Sequence, residues 1–199
     1  MANVNKVNSQ QNYRTPRAFL DKVEERFGRI TFDAACTSID CVVEEPNSGF
    51  FYDAGVDALK VNWFNDRPCG VTWCNPPFAK AKAFARKIAS EYESASLQAR
   101  TLLLVPAGLD THWFWSYVHG RALVLMLSPR IPFLNPDLTP VLDSKGRPAA
   151  INRPMMLAVY GVEPGFERWI WQPTQPRKKK NVKVELQGTV LPDQFQENL

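Results

Sequence analysis

The sequence predicts an α/β domain with a doubly wound, mostly parallel sheet and some antiparallel pairing at its C-terminal edge. Three observations carry this. Short apolar, β-branched stretches alternate with amphipathic helical patterns, the order that builds parallel sheets. One stretch, Thr101-Leu102-Leu103-Leu104-Val105-Pro106-Ala107, has no polar side chain after its first residue, as expected of a strand covered on both faces. A third stretch, Gly70-Val71-Thr72-Trp73, runs directly into Cys74-Asn75-Pro76-Pro77-Phe78. Its two prolines fix φ twice and remove two backbone donors, so a stiff loop stands where a strand ends. In open α/β sheets that is where ligands bind.

Bulk properties restrict the function classes. The chain has 199 residues, 45% of them hydrophobic and 22% charged, ordinary for one soluble domain. No apolar run approaches the ~20 residues of a membrane span. Residues 1–12 are polar, lack an apolar signal core and are expected to be disordered; a cytoplasmic protein is expected. The net charge of +4, with Arg177 to Lys180 and Lys183 clustered in a flexible tail at 173–199, permits a polyanionic partner without demanding one. The cysteines, Cys36, Cys41, Cys69 and Cys74, form two Cys-x₄-Cys pairs. The usual close spacing in zinc sites is Cys-x₂-Cys and no histidine lies nearby, so reduced thiols and no metal are expected.

The elements follow in order over residues 13–172. Thr15 suits a helix N-cap and Pro16 the first helical position; Phe19, Leu20, Val23 and Phe27 repeat at helical spacing and Gly28 ends the helix. Residues 30–35 read as the first strand, with Cys36-Thr37 as its exit. Residues 38–62 lack periodicity, apart from a possible short strand at Cys41-Val42-Val43. After the double-proline loop, Phe84, Ile88 and Tyr92 give a helix an apolar face, while Lys80, Lys82, Arg86 and Lys87 lie on the opposite arc. That basic arc is either simply solvated or a phosphate contact. Residues 101–107 are a strand, His112 to Val118 an aromatic helix ending at Gly120, and 122–127 another strand. Pro136 to Pro148 is a Pro-, Asp- and Gly-rich excursion loop, a candidate contact segment for a polyanionic partner with Arg147 and Arg153 as its charges. Residues 155–160 are expected to close the sheet as its last strand, and Phe166-Glu167-Arg168-Trp169 to form a final helical turn.

Asn75-Pro76-Pro77-Phe78 resembles the (Asp/Asn/Ser)-Pro-Pro-(Tyr/Phe/Trp) motif of S-adenosylmethionine-dependent amino methyltransferases. The flanking Tyr-x-Thr-Pro, Phe-Asp-x-Ala, Asp-x-Leu and Leu-x-Pro-Ala-x-x-Asp-Thr-x-Trp-Phe elements, in collinear order, resemble those of the phage Dam-type DNA N6-adenine methyltransferases. The resemblance implies a Rossmann-like methyltransferase fold, S-adenosylmethionine as cofactor, and a phage-encoded enzyme acting on a flipped adenine in double-stranded DNA. It implies that Asn75, Pro76, Pro77 and Phe78 are catalytic. It also places Thr15 and Pro16 beside the cofactor pocket, Asp33, Ala35 and Thr37 around the methionine half, and Asp57 on the adenine amine, with Asn75 also lining the pocket. Glu44 or Glu45 would hold the ribose by analogy with dinucleotide folds. The glycine-rich turn common in such enzymes is missing after the first strand, where small residues stand instead. Two other readings stay open: glutamine-N5 protein methylation by the same loop, and a non-catalytic nucleic-acid-binding protein on this fold.

Overall fold

The computed structural model describes residues 13–36, 41–43, 57–63, 70–94 and 99–172. Among them are helices α1 (Arg17–Phe27), α2 (Ala81–Ser94) and α3 (His112–Tyr117), and strands β1 (Ile30–Asp33), β2 (Val71–Cys74), β3 (Arg100–Pro106), β4 (Ala122–Ser128), β5 (Met155–Tyr160) and β6 (Gly165–Ile170). The strands form one sheet in the order β1-β2-β3-β5-β4-β6. β1, β2 and β3 pair in parallel, and β6 pairs in parallel with β4. Only β5 is reversed, pairing antiparallel with both β3 and β4.

Period-two burial fixes the two faces of the sheet. Leu102 and Leu104 of β3, with Leu157 and Val159 of β5, pack against Phe19, Leu20, Val23 and Phe27 of α1. Leu103 and Val105, with Met156 and Ala158, pack on the other side against Phe84, Ala85 and Ile88 of α2 and Phe114 of α3. Helices therefore cover both faces, which is why β2 and β5 are buried at every position.

Three expectations are corrected. The antiparallel pairing is not at the edge: β5 is inserted between β3 and β4, and β6 forms the edge. Residues 166–169 are strand, not a helical turn. A lone helical turn lacks cooperative support, whereas β4 offers a full ladder from Leu123↔Gly165 to Ser128↔Ile170. The alternation also fits a strand. Glu167 pairs with Arg26 at 2.5 Å, Trp169 meets Phe27 at 6.1 Å between ring centroids, and Trp171 meets Phe19 at 5.1 Å, all on the α1 side. Third, residues 41–43 lie in no strand. Residues 1–12 and 173–199, the expected disordered segment and basic tail, lie outside the described residues, as do Thr37, Glu44 and Glu45. No helix among the described residues is long and apolar enough to cross a membrane.

Parallel pairing puts the carboxyl ends of β1, β2 and β3 on one rim. The reversal of β5 brings its first residue there too, with Met155 opposite Pro106. β4 ends at the same rim, since Met126 lies opposite Met156. Residues 129–154, which hold the excursion loop, therefore leave and return at the rim that carries Asp33 and Asn75.

Candidate active site

Asn75 is the first residue beyond β2. Its side-chain nitrogen donates to the Tyr13 carbonyl at 3.2 Å and to Thr15 Oγ1 at 3.1 Å. A carbonyl can only accept, so the atom facing Tyr13 must be the nitrogen and the amide orientation is settled chemically. The oxygen, Oδ1, then points the other way. It is buried and has no hydrogen-bond partner among the described residues. Thr15 has accordingly changed role. The N-cap of α1 is Pro16, with no side-chain cap, and helical geometry starts at Arg17; Thr15 spends its hydroxyl on Asn75.

Pro76 is buried and Pro77 is extended at φ −49° and ψ 132°. A 3₁₀ turn, Phe78–Lys80, follows, and Lys80 N donates to the Pro77 carbonyl at 2.7 Å. The two prolines do not keep both carbonyls out of local structure, so Pro76 is the carbonyl the loop can offer. Phe78 is half-buried in an aromatic group, its centroid 5.9 Å from Tyr13 and 6.2 Å from Phe133.

A narrow cleft opens at this rim, lined by Arg14, Thr15, Asp33, Ala35, Trp73 and Asn75 among others. Asp33, at the end of β1, is 3% exposed. Its carboxylate accepts from Ala35 N at 3.1 Å and Val42 N at 3.2 Å, so it organises the loop after β1. Two thiols, Cys36 and Cys41, have sulfurs within 4.8 Å of each other and of an Asp33 oxygen. No fourth His, Cys, Asp or Glu joins these three donors among the described residues, one short of the usual tetrahedral zinc set.

The structure brings Thr15, Asp33, Ala35 and Asn75 into one cleft, but not Asp57. That residue is exposed in a turn, accepting from Leu59 N at 3.2 Å and pairing with Lys60 at 3.3 Å. The Leu59 amide, then Lys60, hold its carboxyl below the usual range, and the charge of Lys80 adds to this. Leu59, Lys82 and Arg86 line an open depression along α2, and Lys80 and Lys82 are exposed. Arg147 is exposed and held by Asp143 through its Nε at 3.0 Å and a terminal nitrogen at 2.8 Å. Arg153 is exposed just before β5. His112 faces Ser116 at 3.0 Å and does not line the cleft.

Sequence reasoning passed over Arg14 and Tyr13. The signal was their position beside Thr-Pro, but only folding brings that segment against the loop after β2. Arg14 pairs its backbone with Leu134, N to O at 2.9 Å and O to N at 3.0 Å, tying the cleft wall to the root of the excursion loop. Its Nε is buried and has no partner among the described residues.

Comparison with known proteins accords with this geometry. A family model described as DNA N-6-adenine-methyltransferase (Dam) matches residues 3–159. A protein of Escherichia phage T1 named DNA N-6-adenine-methyltransferase is 27% identical over 131 residues, covering 66% of this chain and 48% of the phage protein. The chain thus spans about half the length of that relative. Matched across most of its length, and carrying Asn-Pro-Pro-Phe at the carboxyl end of β2, the chain belongs to the DNA N-6-adenine-methyltransferase (Dam) family.

Proposed function

We propose that the protein is an S-adenosylmethionine-dependent enzyme, on a Rossmann-like methyltransferase fold, that methylates the N6 amine of adenine in double-stranded DNA. The observation that carries this reading is the Asn75 amide, its nitrogen fixed by two acceptors and its oxygen buried beside the cleft with no partner among the described residues. A buried acceptor without a donor costs about 1–3 kcal/mol, and an incoming N–H removes that cost. The parallel strands, the helices on both faces and the family membership support the same conclusion.

The adenine amine is a poor nucleophile because its lone pair is delocalised into the ring. Asn75 Oδ1 and the Pro76 carbonyl would accept its two N–H bonds and favour a tetrahedral nitrogen with a localised pair. Their attraction grows as positive charge develops on that nitrogen, so they act on the transition state more than on the ground state. Bound S-adenosylmethionine supplies a methyl group activated by its sulfonium charge. Phe78 would stack on the base, with Tyr13 and Phe133 holding its ring. In a duplex the adenine must leave the stack to reach the rim.

The cleft fits the amino-acid end of the cofactor: Asp33 is an anion for the ammonium, and Thr15, Pro16, Ala35 and Thr37 flank it in the reading from resemblance. Asp57 would meet the adenine end from the turn outside the cleft. Lys80, Lys82, Arg147 and Arg153 would contact DNA phosphates around the rim, the two arginines from the segment between β4 and β5; Arg147 would exchange Asp143 for phosphate. A phage-encoded enzyme working in the host cytoplasm follows from this reading. Transfer of a labelled methyl group tested on DNA, on protein and with no acceptor decides the matter. Label on adenine N6 is expected; label on glutamine, or none on any acceptor, would refute it.

A further inference from the structure

We infer that Arg14 receives the carboxylate of the methyl donor, so that Arg14 and Asp33 together read the donor's α-amino acid zwitterion. This rests on the cofactor reading above and adds a residue to it. Asn75 Oδ1 and Arg14 Nε are the two buried side-chain polar atoms without a partner among the described residues, and both residues line the same cleft. Asn75 oxygen is an acceptor waiting for a donor; Arg14 Nε is a donor, carrying positive charge, waiting for an acceptor.

A guanidinium is always charged and presents its N–H groups in a fork that fits a carboxylate. The backbone of Arg14 is pinned on both sides by Leu134, so the side chain starts from a fixed point. The charge of Arg14 reaches Asp137, but the two form no ion pair among the described residues. Asp137 is occupied by Thr139, accepting from its backbone N at 3.0 Å and its hydroxyl at 2.6 Å. Asp33, which lines the same cleft, supplies the opposite charge. One cation and one anion lining the same cleft match an amino acid that carries both charges.

The test is calorimetric binding of S-adenosylmethionine and of its decarboxylated analogue, which keeps the sulfonium and the amine. Wild type should prefer the intact donor by roughly ten- to a hundredfold, the worth of one charge-assisted hydrogen bond. Arg14→Met should lose that preference and bind both ligands as wild type binds the analogue; Arg14→Lys should recover part of it. Wild type that binds both ligands equally would overturn the assignment without any variant, so a variant that fails to fold does not protect it. An Arg14→Met protein weakened equally toward both ligands would make Arg14 a support of the cleft wall. Unchanged donor binding, with a flatter salt dependence of DNA binding, would assign the guanidinium to a phosphate instead. Wild type that binds neither ligand would remove the cofactor reading itself, and this inference with it.

Discussion

The two halves of the sheet treat buried polar groups differently. In the half built from β5, β4 and β6, the buried Tyr160 hydroxyl donates to the Tyr117 carbonyl at 2.8 Å and Trp171 Nε1 donates to the Pro129 carbonyl at 2.7 Å. Burial pushes the Tyr160 phenol far above its ordinary range, so it stays a neutral donor at any pH the protein meets. In the half built from β1, β2 and β3, the rim holds Asn75 Oδ1 and Arg14 Nε without partners among the described residues. One half is saturated and serves stability. The other keeps unmet hydrogen-bonding capacity, which stability alone would select against, and that capacity is concentrated in one cleft.

Mutations should separate the halves. The largest effect belongs to the saturated half: Leu157→Ala, at a fully buried position on β5, should cost about 2–5 kcal/mol in denaturant unfolding. It should leave donor affinity of the folded protein close to wild type. Asn75→Ala should do the converse. Turnover should fall by about 10²–10³ while the unfolding midpoint moves little. A folded Asn75→Ala protein that methylates adenine normally would place the chemistry elsewhere. Thr15→Val sharpens the contrast, because it removes one of the two acceptors that orient the Asn75 amide. Turnover should drop by about tenfold or less, with donor binding retained and with recovery in Thr15→Ser, which restores the hydroxyl. A valine variant with full turnover would show that the Tyr13 carbonyl suffices. The smallest effect is expected at Asp57, which is exposed and outside the cleft. Asp57→Ala should weaken donor binding modestly in calorimetry without altering the unfolding midpoint, and unchanged affinity would detach Asp57 from the cofactor.

Much of this was legible in the sequence where the chemistry is local. The apolar run of β3, the helical spacing of α1 and α2 and the stiff loop after β2 each depend on neighbours within a few residues. What was not legible depended on pairing across the fold. Phe166 to Trp169 has spacing that suits a helical turn, and only the open edge of β4 makes it a strand. Met155 to Tyr160 reads as a strand, yet nothing local says that it enters between β3 and β4. At the candidate site, the place of Asn75 at the end of a strand was readable from the motif. The orientation of the Asn75 amide was not, because Tyr13 and Thr15 stand some sixty residues earlier. Thr15 has the composition of a cap, and the competing acceptor role is decided by tertiary contact.

The insertion of β5 also bears on how the family can diversify. Because β4 and β5 are adjacent partners, the segment between Ser128 and Met155 begins and ends on neighbouring strands. The ends of that segment are held by the sheet whatever its length, and the entropy of closing a longer loop grows only slowly, by about 0.6 kcal/mol per doubling. Changes in its length are expected to leave strand order intact, provided Leu134 keeps its backbone pair with Arg14. If this segment contacts DNA as proposed, a chimera carrying a relative's version of it is expected to fold like this protein and to change the methylated sequence.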